Sequence, residues 1–223
     1  MKFVEYPTRD ALIAGLSDLV VAELGAAIKK SGHASLSVPG GTTPGPMFDR
    51  LNIADLDWAQ VAILLNDERW VPETSPRSNT ALLKARLFQN KAALAKLVPL
   101  YGEAETPELG LDALVAGVEA VLPLDVLVLG MGGDMHTASL FPGADLLEQS
   151  LADDAPTLLP MRAAGAGEPR ITLTAPVLKA AKHIHVLIMG PEKRTALDEA
   201  VNLSEIEAPI KSVLENATVH WAD

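Results

Sequence analysis

His136 stands in the glycine-rich stretch Gly130-Met131-Gly132-Gly133-Asp134-Met135-His136, directly after the apolar run Val126-Leu127-Val128-Leu129. An unperturbed imidazole titrates at about pH 6.5, so a histidine delivered to the end of a buried strand can take up and return a proton near neutrality. The same residues also allow a packed or capping histidine beneath a turn. A second charged group, Asp67-Glu68-Arg69, follows the apolar run Val61-Ala62-Ile63-Leu64-Leu65. Burying three charges there is costly unless they find partners or a ligand. Arg69 can fork onto phosphate or sugar oxygens, and Asp67 can orient an imidazole or hold a hydroxyl. A surface ion-pair cluster is the alternative. The turn Gly40-Gly41-Thr42-Thr43-Pro44 offers backbone N–H groups and hydroxyls where a helix would begin, a setting that favours phosphate. It matches neither the P-loop nor the dinucleotide fingerprint, so it makes no case for ATP or NAD. Arg170 and Lys193 complete a set of three bases, with Arg69, at the ends of expected elements.

These residues need a frame that brings strand ends together. Apolar positions Leu12, Ile13, Leu16, Leu19, Val20, Leu24 and Ile28 recur at helical spacing and stop at Ser31-Gly32, which predicts a packing helix from Thr8 to Lys30. Strands are expected at 34–38, 61–65, near 97–100, up to Gly130, at 170–174 as a half-buried strand, and at 185–189. Helices are expected between them: from Pro44 toward Leu51, from a cap at Ser78 or Asn79 through Leu87, from Leu111 to Val121, after Pro176, and after Gly190-Pro191-Glu192-Lys193. The alternation implies an α/β fold, a three-layer open, mostly parallel sheet flanked by helices, with its ligand outside the carboxyl ends of the strands. One domain, 1–223, is expected. The segment Ala163-Ala164-Gly165-Ala166-Gly167-Glu168-Pro169 reads as a surface loop able to act as a lid.

Eighteen basic residues against 29 acidic ones give a net charge of −11, which disfavours nucleic acid and anionic membrane as partners. An anionic substrate must then be held by a local basic cluster. The absence of cysteine removes disulfides, thiolate catalysis and cysteine zinc sites. The N-terminal residues lack a signal-peptide core, and no run reads as a membrane span, so a soluble, cytoplasmic protein is expected.

Five segments taken in order resemble the 6-phosphogluconolactonase family, in the larger group that includes glucosamine-6-phosphate deaminase and ribose-5-phosphate isomerase. They are Val38-Pro39-Gly40-Gly41-Thr42-Thr43-Pro44; Asn66-Asp67-Glu68-Arg69-Trp70-Val71-Pro72 with Ser78-Asn79; Leu129-Gly130-Met131-Gly132 with Asp134-Met135-His136-Thr137-Ala138-Ser139-Leu140-Phe141-Pro142; Arg170-Ile171-Thr172-Leu173-Thr174; and Gly190-Pro191-Glu192-Lys193. The second and third together are specific for the lactonase. Two positions depart from its pattern: Met135 replaces the usual glycine between aspartate and histidine, and Val-Pro precedes the Gly pair where Ser or Ala is usual.

The resemblance implies hydrolysis of 6-phospho-D-glucono-1,5-lactone, a step of the pentose phosphate pathway, with His136 as general base. It further implies that Asp67 orients His136 or a sugar hydroxyl. Gly40, Gly41, Thr42, Thr43, Arg69, Arg170 and Lys193 would bind substrate and its phosphate, with no cofactor or metal and a monomer or homodimer. Backbone N–H groups near Gly40 and Gly41, or an arginine, would serve the oxyanion. Ser139 is three residues from His136 but lacks a nucleophile elbow, so capping or packing is its expected role. His183 and His185 share a strand face and are read as structural rather than metal-binding. Two rival readings stay open at this point: an amino-sugar-phosphate deaminase or isomerase, and a noncatalytic sugar-phosphate sensor.

Overall fold

In a computed structural model describing residues 1–223, ten strands and eight helices follow one another along the chain. The strands are β1 Lys2–Glu5, β2 Ala34–Val38, β3 Val61–Leu65, β4 Asp67–Arg69, β5 Lys96–Leu97, β6 Val126–Gly130, β7 Leu158–Met161, β8 Arg170–Leu173, β9 His183–Met189 and β10 Ala217–Ala222. The helices are α1 Arg9–Ser31, α2 Gly45–Leu51, α3 Asn79–Arg86, α4 Pro107–Glu119, α5 Leu147–Leu151, α6 Ala175–Lys179, α7 Pro191–Ala200 and α8 Lys211–Leu214.

Seven strands form a parallel sheet in the order β1-β10-β9-β6-β2-β3-β5. From β2 the chain moves outward through β3 to β5, and from β6 it moves the other way through β9 to β10. The order therefore reverses between β2 and β6, which opens a crevice at their carboxyl ends. The central strands are buried along almost their whole length, as a parallel sheet covered on both faces requires.

Helix α1 shows how sequence dictates this layer. Thr8 takes an extended conformation and its hydroxyl accepts from Ala11 N at 3.1 Å, while Gly32 closes the helix at φ 79° by donating to Ile28 O. Leu12, Leu16, Val20 and Leu24, four residues apart, are fully buried where the helix packs on β2, β6 and β10. By length and composition α1 is apolar enough to cross a membrane, contrary to the expectation that no run would be. Its buried stripe belongs instead to the continuous apolar core.

A single parallel sheet does not describe the whole molecule. A second, antiparallel sheet, β4-β8-β7, stands beyond the end of β3. Its strand β8 is buried at Ile171, Thr172 and Leu173, so the half-buried alternation expected for 170–174 is not found. Asn66, fully buried, pins the two sheets together. Its side chain accepts from Ser37 Oγ at 2.6 Å and donates to Val128 O at 2.8 Å. Its backbone N–H donates to Val38 O, and its carbonyl accepts from Leu173 N. One residue thus satisfies polar groups from β2, β6 and β8 and sets where β4 starts.

Candidate active site

A cleft of about 350 Å³ opens above the crevice between β2 and β6. Residues after β2, the end of β6 and the end of β9 form its floor, and β4 and β8 form one wall. Of the residues singled out from sequence, Gly40, Gly41, Thr43, Asp67, Arg69, His136, Arg170 and Lys193 line it together. Thr42 is exposed and outside the lining. The turn before α2 also departs from expectation in its electrostatics. With seven residues and no side-chain cap, α2 supplies little macrodipole, and the positive charge comes from side chains.

His136 is aimed by Asp134. Oδ1 of Asp134 lies 2.5 Å from Nδ1 of the ring and also accepts from the His136 backbone N–H at 3.3 Å. A carboxylate only accepts, so Nδ1 carries the proton and Nε2, which makes no bond within the protein, is left as the basic nitrogen. Phe141 backs the ring at a centroid distance of 4.3 Å. Burial raises the Asp134 pKa, but the charge and hydrogen bonds of His136 outweigh it and hold the carboxyl below its ordinary value. The loop turns tightly enough for this contact because Met135 adopts φ 66°, the left-handed region, and accepts at its carbonyl from Ile210 N. Gly132 completes the fit. A Cβ there would stand 2.1 Å from His136 Nδ1 and 2.2 Å from Asp134 Oδ1.

Asp67 does not orient His136. Its carboxylate accepts from Ser139 Oγ and from Arg170 Nη1, the latter at 3.3 Å. The physical reason is that pairing of β4 with β8 sets Asp67 beside Arg170 and the far end of the loop after β6, where Ser139 and Arg170 take up its carboxylate, while Asp134 bonds the His136 ring. Ser139 is fully buried and lies outside any helix; it caps nothing, and its hydroxyl fixes Asp67.

Arg69 and Arg170 are cross-strand partners on that wall. Like charges directly opposite are unfavourable unless an anion lies between them. Each has a buried Nε–H without a partner. Burial, followed by the charges of Arg170 and Arg77, lowers the Arg69 pKa from its ordinary value, with Asp67 and Glu168 opposing. Lys193, in the first turn of α7, makes no ion pair and brings its ammonium beside Gly133. The 163–169 segment is tied down by Arg77 to Glu168 at 2.8 Å and by Arg170 Nη2 to Ala166 O at 3.2 Å.

Two residues of the site were not picked out from the sequence for this role: Asn79, which lines the cleft, and Asp134, which bonds His136 from outside the lining. Asp134 carries a usable signal, a carboxylate two residues before a histidine in a tight turn. Asn79 is expected from sequence as an alternative helix cap and as part of a segment carrying the resemblance, with no site role; Ser78 is the cap, and Asn79 reaches into the cleft. His183 and His185 do share a strand face, and both bond Glu23 of α1, at 3.2 and 2.8 Å.

The family model described as glucosamine-6-phosphate isomerases/6-phosphogluconolactonase matches residues 7–221. Among curated relatives, the 6-phosphogluconolactonase of Rhizobium meliloti is 44% identical, over 100% of this chain and 98% of its own length. That of Mesorhizobium japonicum is 45% identical, over 97% and 93%. The crystal structure of a 6-phosphogluconolactonase from Shewanella baltica superposes with a TM-score of 0.96 at 33% identity, over 100% and 98% of the two chains. A monomeric glucosamine-6-phosphate deaminase shares the fold at 18% identity, with a TM-score of 0.79 over 100% and 97%. The chain therefore belongs to the glucosamine-6-phosphate isomerase/6-phosphogluconolactonase family.

Proposed function

We propose that this chain hydrolyses 6-phospho-D-glucono-1,5-lactone to 6-phosphogluconate, with His136 as general base held by Asp134. The observation that carries this reading is the bond from Nδ1 to Asp134, which leaves Nε2 free in a cleft walled by two arginines with unpartnered N–H groups. Water gives a proton to Nε2 as its oxygen attacks the lactone carbonyl. The tetrahedral intermediate then collapses, the bond from carbonyl carbon to ring oxygen breaks, and the imidazolium returns the proton to that oxygen. Asp134 stabilises the imidazolium formed between the two steps, as the orienting carboxylate does in other base dyads.

Arg69, Arg170, Lys193, Thr43 and the backbone at Gly40 and Gly41 hold the phosphate of the substrate and the developing oxyanion. Asp67 is a poor candidate for a free carboxylate base, since Ser139 and Arg170 already occupy it. This favours the lactonase over the deaminase reading. Asp67 instead holds Arg170 in place.

The test generates the lactone in situ and follows acid release at near-neutral pH for the wild type, His136→Ala and a blank, since the lactone also hydrolyses on its own. Wild-type acceleration that falls toward the blank in a folded His136→Ala protein is expected. A variant as fast as the wild type would remove His136 from the mechanism. An inert wild type that releases ammonia from glucosamine 6-phosphate would replace the reading altogether.

A further inference from the structure

Glu68 lies between Asp67 and Arg69 but takes no part in the cleft lining. Along a strand, alternate side chains point to opposite faces, so Asp67 and Arg69 face substrate while Glu68 points behind the wall. It is completely buried and forms no ion pair with any lysine, arginine or histidine. A buried carboxylate without a cation is costly unless donors replace the lost water. Here five donors converge on it. Oε1 accepts from Arg69 N at 2.7 Å and Asn79 N at 2.9 Å. Oε2 accepts from Thr80 N at 2.6 Å, Thr80 Oγ1 at 2.7 Å and Ser78 Oγ at 3.3 Å.

These donors belong to two elements that meet in the cleft. Asn79 and Thr80 open α3, where Ser78 is the cap and accepts from Ala81 N. Glu68 thus binds the start of α3 to the middle of β4. The consequence is felt at Asn79, whose Nδ2 donates to Asp67 O at 3.3 Å and whose Oδ1 accepts from Arg69 Nη1 at 3.4 Å. The same side chain fills the space above Gly40, where a Cβ would stand 2.2 Å from it. Arg69, Asn79 and the Gly40 turn are three separate parts of the cleft, and all three are indexed to one hidden carboxylate.

We infer that Glu68 is a positioning residue for substrate binding: it holds Asn79 against Arg69 and Gly40 so that the Arg69 guanidinium is fixed in the cleft wall for the anionic substrate. Glu68 acts through Arg69 and leaves the His136–Asp134 pair alone. This inference rests on the lactonase reading.

Glu68→Gln tests it. The amide keeps the volume but turns an NH2 group toward donors, so the α3 start must move away from β4. The expected result is a folded protein with KM for the lactone and Kd for 6-phosphogluconate raised about tenfold or more, kcat within about threefold of wild type, and an unchanged pH–rate profile. In an Arg69→Lys background the same substitution adds little further loss of affinity, because the route through Arg69 is already cut. Thr80→Val, which removes one hydroxyl donor, gives a smaller rise in KM of the same kind and serves if Glu68→Gln does not fold. Lower thermal stability with unchanged KM and Kd in both variants would overturn the inference. So would a full additive loss in the Arg69→Lys background. The side-chain N–H resonance of Arg69 provides a readout without catalysis: it shifts in Glu68→Gln if the inference holds. That measurement stands even if the wild type proves inert on the lactone, an outcome that would sink the functional reading alone.

Discussion

Asp134 and His136 form a hydrogen bond of 2.5 Å across a single intervening residue. A carboxylate so placed selects the tautomer with its proton on Nδ1. An amide can satisfy either tautomer, so Asp134→Asn loses that selection while leaving the loop in place. Because general-base help is worth about 10²–10⁴ in rate, kcat is expected to fall by roughly a hundredfold or more with KM changed little. Steady-state kinetics on the folded variant decide it. A kcat within a few-fold of wild type would mean that His136 needs no orienting partner.

Arg69 and Arg170, opposed across β4 and β8 with unpartnered N–H groups, form a wall prepared for an anion. A ligand that binds only the folded state stabilises it by about 2.7 kcal/mol at a hundred times its Kd. For a chain of this size each kcal/mol moves Tm by about 2–4 °C. Saturating 6-phosphogluconate should therefore raise Tm by roughly 5–10 °C. Arg170→Lys cannot form a fork and should need at least tenfold more ligand for the same shift. Equal shifts in both proteins at equal concentration would take Arg170 out of the binding wall.

Much of this site was legible because strand ends and glycine turns carry local signals. The apolar run before Gly130 and the four-residue spacing in α1 each reported on a single element, and both elements stand where the pattern put them. The errors arose where a long-range pairing decides direction. Nothing local in Asp67-Glu68-Arg69 tells which side chain faces the cleft, since that depends on pairing with Arg170-Ile171-Thr172 about a hundred residues away. The second sheet was missed for the same reason: β4 has only three residues, all charged, and β7 contains a proline. The partnership of Asp134 with His136 depends on the positive φ of Met135, which its residue type argues against.

Met135 and Gly132 predict opposite responses to substitution in the same loop. A non-glycine residue in the left-handed region costs on the order of 1 kcal/mol, so Met135→Gly relieves strain. It also gives up the packing of a half-buried side chain and loosens the unfolded chain, and these effects offset the gain. Activity near wild type and stability within about 1 kcal/mol are expected. Gly132→Ala places a methyl group where the ring and the carboxylate of the dyad meet, and should lower kcat as far as Asp134→Asn does. Chemical denaturation and kinetics of the two variants test the pair. Full activity in Gly132→Ala would show that the dyad can be displaced at no loss.

The last prediction concerns His220, far along the sequence from the proposed chemistry. Its ring is buried between Tyr6, whose hydroxyl lies 2.9 Å from Nδ1, and His185, whose Nδ1 lies 3.1 Å from Nε2. His185 in turn bonds Glu23 of α1, which also meets His183. Burial, then the charges of His185 and Lys2, push the His220 pKa down to about 4. In the unfolded chain the ring titrates near its ordinary value of about 6.5. Between those values the unfolded state binds a proton that the native state does not, so stability falls as pH falls. The contribution is complete above about pH 6.5 and is lost as pH drops toward 4, a difference of about 3 kcal/mol. His220→Gln removes this titration, and urea unfolding at pH 7 and pH 4.5 should show a smaller acid loss than in wild type. Lactone hydrolysis at pH 7 should be unchanged, since His220 does not line the cleft. An equal acid loss in both proteins would move the acid sensitivity to other groups, with Asp134 and its depressed carboxyl pKa the next to test.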